Sequence, residues 1–221
     1  MPDLREYKIE ACVVTYDQAI AAYDHGADRL ELCARLETEG MTPDIDLAVK
    51  IMDKVNIPLR IMIRETETGF ESDERILGKM KLAIDQFKSL AVDGFVIGLL
   101  KDHRIDCDAM VQLIEVCSPF KITIHKAIDQ SQDVYDDILW LNQYSEVDAI
   151  LTSGGKATAK EGMEEILKMK NVFKGNIMAA GKITNDQLPF LHKQMQLKWY
   201  HGRNILQASG DVANIKVKSE T

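Results

Sequence analysis

Residues Gly26 to Asp44 read GADRLELCARLETEGMTPD, and the alternation inside this stretch decides the fold. In Arg29-Leu30-Glu31-Leu32-Cys33 the period is that of a strand, so Glu31 and Cys33 share one face while Leu30 and Leu32 share the other. The same arrangement occurs one element earlier, in Tyr7 to Val14 (YKIEACVV), where Glu10 and Cys12 fall on one face. Two successive strands therefore each offer Glu-x-Cys. Gly26 stands where a helix C-terminus calls for positive φ. The loop after the second strand ends in Thr42-Pro43-Asp44, which reads as an N-cap threonine followed by proline at the first helical position.

The alternation continues outward. A helix over 17–25 separates the first two strands, and a helix over 43–54 leads to strand 59–64, which ends in Arg64. A polar loop, Glu65 to Glu71, and a helix from Asp73 to Leu90 precede strand 93–99, whose unbroken apolar run suits a strand covered on both faces. Helix 106–117, strand 121–125 ending in His125, helix 131–143, strand 147–151, helix 158–169 and strand 176–180 follow. A helix opening at Thr184 and a strand over 198–201 complete the pattern. Eight strands separated by helices predict a TIM-type (β/α)8 barrel, in one domain spanning 1–221 with its core at about 7–203. The stretch 204–221 reads as a tail, so the last helix is expected to be short or missing and barrel closure imperfect there. Cys12, Cys33, Arg64, Gly98, His125, Ser153, Gly181 and His201 all fall near predicted strand C-termini, where barrel enzymes assemble their sites.

Composition narrows the function. A chain of 221 residues, 46% hydrophobic, with a net charge of −8 is not built to coat nucleic acid or an anionic membrane surface. No apolar run reaches the roughly 20 residues of a membrane span, and the N-terminus has no signal core. Four cysteines, at 12, 33, 107 and 117, form neither a disulfide framework nor a CxxC pair, which points to a reducing, cytoplasmic setting.

The motifs in order resemble the CutC family: EAC at 10–12, GADRLELC at 26–33 followed by GMTP at 40–43, Ile63-Arg64 before a loop ending Gly69-Phe70, TIHKAID at 123–129 in the pattern T-x-H-[KR]-A-x-D, LTSGGK at 151–156 and IMAAG at 177–181. The likeness runs from about Lys8 to His201. It implies a TIM-type barrel, a role in copper homeostasis, copper as cofactor or cargo, a cytoplasmic location and a homo-oligomer, dimer or higher. Three departures stand out: Glu65 replaces the proline that commonly follows the strand-three arginine, the loop Thr66 to Phe70 is more polar than usual, and the C-terminal region is shorter.

Three chemistries fit these residues. Cys12 and Cys33 on neighbouring strands offer a soft pair for Cu(I), with Met41 and Met62 as further soft ligands; the plain alternative is that both thiols fill space at a strand end. Cys107 and Cys117, ten residues apart on one helix, lie roughly 15 Å apart along its axis and cannot chelate together. Glu10, Glu31, Arg64, His125 and Asp129 are the catalytic candidates: a carboxylate as acid or base, an imidazole as proton shuttle and a guanidinium as clamp for an anion, or else charges that only satisfy one another. Ser153, Gly154, Gly181, Lys182, Gly202 and Arg203 outline an anion site for a small phosphate- or carboxylate-bearing ligand, or glycines that merely turn the chain. A third class, a non-catalytic oligomeric scaffold, would act through an exposed Trp199-Tyr200 region or the tail.

Overall fold

The structure is a computed structural model that describes residues 5–71 and 73–207. Eight parallel strands, β1 (Lys8–Val13), β2 (Arg29–Leu32), β3 (Leu59–Met62), β4 (Gly94–Ile97), β5 (Lys121–Ile124), β6 (Val147–Thr152), β7 (Asn176–Ala179) and β8 (Trp199–Gly202), close into a barrel in chain order. Seven helices alternate with them: α1 (Tyr16–Asp24), α2 (Ile45–Met52), α3 (Glu74–Phe87), α4 (Cys107–Cys117), α5 (Val134–Leu141), α6 (Met163–Val172) and α7 (Leu188–Met195). The predicted TIM-type barrel is therefore the observed fold. The seam expected to be imperfect is closed, with Lys8 to Ala11 of β1 paired to Trp199 to Gly202 of β8. The expectation for an eighth helix falls mainly on residues 208–221, outside the described ones.

One face of each strand packs against the helices. Leu30, Leu32, Ile61, Phe95, Ile97, Ile122 and Ile124 are fully shielded in this layer, and burying each such side chain contributes about 1.5–3 kcal/mol. Three local expectations fail. Thr42 does not cap α2, because its hydroxyl is taken by the Arg64 backbone, accepting from the amide at 3.0 Å and donating to the carbonyl at 3.2 Å. Asp44 caps instead, accepting from the Asp46 amide at 2.7 Å. The helix read at 158–169 starts only at Met163, since Gly162 packs onto the Ser153 carbonyl, where an added Cβ would lie 1.9 Å away. Trp199 and Tyr200, expected to be exposed, are 8% and 0% accessible. They point from the last strand into barrel and helix layers and leave no aromatic docking face.

The barrel interior is charged. Arg60, 1% exposed, makes a two-pronged ion pair with Asp148, both contacts at 2.8 Å, donates to Asp93 at 2.8 Å and reaches the Thr123 hydroxyl. Asp148 enters this layer through a β-bulge. Between β5 and β6, Ile122 pairs with Val147 but Thr123 pairs with Ala149, so Asp148 is the extra residue, and bulges re-aim such side chains. Removing the guanidinium would take both contacts from the Asp148 carboxylate and leave Asp93 with only its longer approach to Arg29, at 3.7 Å. Arg60→Ala is expected to lower unfolding free energy by about 3 kcal/mol, the scale for breaking a buried ion pair from one side; a urea midpoint and slope unchanged from wild type would refute this role.

Candidate functional site

Parallel register sets the inner row of the mouth. Glu10 lies beside His201 on one side and Arg29 on the other, while Cys12 lies beside Glu31. Cys33, one residue beyond β2, is fixed by its amide bond to the Val13 carbonyl at 3.0 Å. The face assignments from alternation thus bring two Glu-x-Cys pairs together. The Cys12 and Cys33 sulfurs are 3.6 Å apart, and Cys33 Sγ lies 3.3 Å from Glu31 Oε2. Met62 and Val96 pack around the thiol pair. Met41 does not join it; its sulfur lies 4.0 Å from the Arg64 guanidinium. Cys107 and Cys117 both lie in α4, and burial pushes the Cys117 thiol up to about 12.

Beneath the thiols sits a charge cluster. Glu10, 0% exposed, accepts from Arg29 Nε and lies 2.9 Å from His201 Nδ1, while His201 Nε2 is 3.6 Å from Glu31 Oε2. Arg29 stacks on the Trp199 ring at 4.1 Å. Burial alone would raise the Glu10 pKa, but Arg29 and His201 outweigh it and hold the carboxyl at about 2. Burial likewise opposes the charged form of His201, yet Glu31, Cys12 and Glu10 lift its pKa well above the ordinary imidazole value. Contact with Cys33, against the cost of burial and with help from His201, brings Cys12 down to about 5. Cys33 is pushed well up by its contact with Cys12 and by burial, and Glu31 is pushed well up chiefly by burial. Within the cluster the thiolate form is therefore favoured at Cys12 over Cys33, and the charged imidazole is favoured at His201.

The other candidates separate into two groups. His125 lines a cavity of about 370 Å³ at the barrel mouth, together with Cys12, Glu31, Cys33, Lys182 and Arg203. Gly181 and Gly202 line it too. Arg64 is spent on the loops around it: its guanidinium donates to the carbonyls of Thr38, Gly40 at 2.9 Å and Gly69 at 3.0 Å, and sits 4.8 Å from the Phe70 ring centre. Asp129 accepts from the Thr152 hydroxyl and from Ser153, at 2.9 Å from the amide and 2.8 Å from the hydroxyl. Gly154 is small because Gly162 O would lie 2.4 Å from an added Cβ. The expected anion site thus divides: Ser153 and Gly154 are turned to internal bonding, whereas Gly181, Lys182, Gly202 and Arg203 face the cavity. Sequence reasoning gave no role to Arg29, Arg60 or Asp148 and placed His201 only at a strand end; the period-two pattern that put Glu31 and Cys33 on one face puts Arg29 there as well.

Among the described residues, two groups have donor atoms close enough to hold one metal ion, Cys12 with Glu31 and Cys33, and Glu10 with Glu31 and His201, each within 4.8 Å. Comparison with known proteins identifies the family. The family model described as "CutC family" matches residues 7–205. The chain is 33% identical over 188 residues to a protein named "Copper homeostasis protein cutC homolog" from Homo sapiens, covering 82% of this chain and 67% of that one. It is 33% identical over 197 residues to a family protein CutC from Pasteurella multocida, covering 88% and 80%. A crystal structure of CutC from Streptococcus agalactiae superposes with a TM-score of 0.84 at 23% identity, over 90% of this chain and 99% of that one.

The Glu10 carboxyl has an ordinary value of 4.5 and a folded value of about 2, so its contribution to stability is present above pH 4.5 and is lost as pH falls towards 2. Urea unfolding of wild type measured across that window is expected to lose stability more steeply than Glu10→Gln. Equal slopes would mean that Glu10 titrates alike in both states.

Proposed function

This chain belongs to the CutC family, and from that membership we propose that it is a copper-handling protein that binds Cu(I) between Cys12 and Cys33. The carrying observation is the 3.6 Å separation of the two sulfurs at the floor of the mouth. Metal–sulfur bonds run to about 2.3 Å, so both thiols lie within joint reach of one ion. The donor set suits a soft monovalent metal: two sulfurs, with Met62 packed against them and Glu31 Oε1 buried with no partner among the described residues. Thiolates favour Cu(I) over harder ions. Bound there, copper would be held away from bulk water and from adventitious oxidation.

The chain's own residues prepare the site. His201, fixed at Nδ1 by Glu10 and facing Glu31 through Nε2, supplies the positive charge that keeps Cys12 as thiolate. Cys33 must give up its proton for the second sulfur to ligate, and the thiol lines the cavity through which that proton would leave. A reducing cytoplasm, where both thiols stay free, is the compartment this reading assigns, and self-association remains part of it on the family likeness alone. A scaffold without ligand would leave mutually satisfied groups at the mouth; Glu31 Oε1 and His125 Nε2, both buried and without partners among the described residues, favour a ligand instead.

An anaerobic Cu(I) competition titration against a chromogenic chelator tests this. The native chain is expected to take up one equivalent tightly, and a Cys12→Ser, Cys33→Ser double variant to lose at least a hundredfold in affinity. Equal, weak binding by both proteins would remove copper from the site.

A further inference from the structure

The cavity above the thiols has features that copper does not use. At about 370 Å³ it falls in the range of small-molecule sites, about 300–1,000 Å³. Its wall includes His125, 3% exposed. The Nδ1 atom of this ring accepts from the Ala127 amide at 3.2 Å, so Nε2 carries the ring proton. That N–H is buried and has no partner among the described residues, and a buried donor left unpaired costs about 1–3 kcal/mol. Burial, and then Arg64, push the imidazole down to about 3, which makes it a neutral donor across the physiological range. Its seat is built: Phe70 stacks on it with centroids 4.9 Å apart, and a side chain at Gly98 would lie 2.8 Å from Cε1.

The rim carries the opposite charge to the chain. Lys126, Lys182 and Arg203 line the cavity against one rim carboxylate, Glu39, in a protein of net charge −8. Lys182 also holds a left-handed backbone at φ 53°, directly after Gly181 at φ 109°. A non-glycine residue pays for that conformation, and such strain gathers at ligand sites.

We propose that the mouth binds a small oxo- or hydroxy-carboxylate, with its carboxylate against Lys182 and Arg203 and its second oxygen accepting the Nε2–H of His125. Phosphate is the weaker candidate because phosphate cradles rely on backbone amides. Two amides of the β6 loop are already committed, Ser153 to Asp129 at 2.9 Å and Gly154 to the Thr152 hydroxyl at 2.8 Å. A planar carboxylate needs only side-chain cations. This site stands apart from the copper reading, since none of its three anchoring residues is a thiol.

The full chain, labelled with 15N-histidine, is titrated in the absence of copper with L-malate, 2-oxoglutarate and inorganic phosphate, following the His125 Nε2 resonance by NMR and heat by calorimetry. One of the two carboxylates is expected to give a saturable His125 shift. A Lys182→Gln, Arg203→Gln variant, altered only at exposed positions, is expected to weaken that binding at least tenfold, while Cys12→Ser, Cys33→Ser retains it. No saturable shift with either carboxylate, a shift indifferent to loss of both rim cations, or binding of phosphate alone would each overturn the proposal.

Discussion

The barrel depends on how it buries Glu10. This carboxylate sits at the seam where the last strand meets the first, with no exposure, and an isolated charge in that position would be prohibitively expensive. Register solves the problem by placing His201 beside it on β8 and Arg29 beside it on β2, so the three strands that close the barrel also neutralise its interior. The pairing extends downward. Arg29 also approaches Asp93 at 3.7 Å, and Asp93 accepts from Arg60, which holds Asp148. Many barrels fill this space with branched apolar side chains. Here the main apolar layer lies between strands and helices, and the centre holds a connected set of charges beside two small apolar groups, one with Met62 and Val96 and one with Leu151, Met178 and Trp199.

Such a centre is costly to assemble and adds less to stability than an apolar filling of equal volume would. What it provides is orientation. Glu10 fixes the tilt of His201 through Nδ1, so that Nε2 lies beside Glu31. A sequence that needed only a stable barrel would have no use for a buried carboxylate two residues before a cysteine on each of two adjacent strands.

That repetition is why so much of the fold and part of the site were legible in the sequence. Period-two alternation is a local property, and it correctly put Glu10, Cys12, Glu31 and Cys33 on inward faces; counting eight strands then brought the two pairs together. Residues whose roles depend on distant partners were not legible. Asp148 points inward only because a bulge interrupts the register between β5 and β6. Thr42 looks like a cap until Arg64 supplies a competing backbone partner. The glycines of LTSGGK suggest an anion cradle, but Asp129, more than twenty residues earlier, has already filled it. Trp199, read as exposed, lies under Arg29, a contact between the second strand and the last.

The same nonlocal wiring bears on how the two halves of the mouth relate. Arg29 and His201 bring positive charge beside Glu10, and the lowered pKa of Cys12 and raised values of Cys33 and Glu31 favour negative charge on the Cys12 sulfur over these two neighbours. A soft cation that engaged both sulfurs would displace the Cys33 proton. His125 stays outside this exchange. It is neutral at any pH where the thiols matter, and its ring belongs to the cavity wall. The mouth thus combines a floor of interacting thiols and carboxyls with a wall whose hydrogen-bonding character is constant.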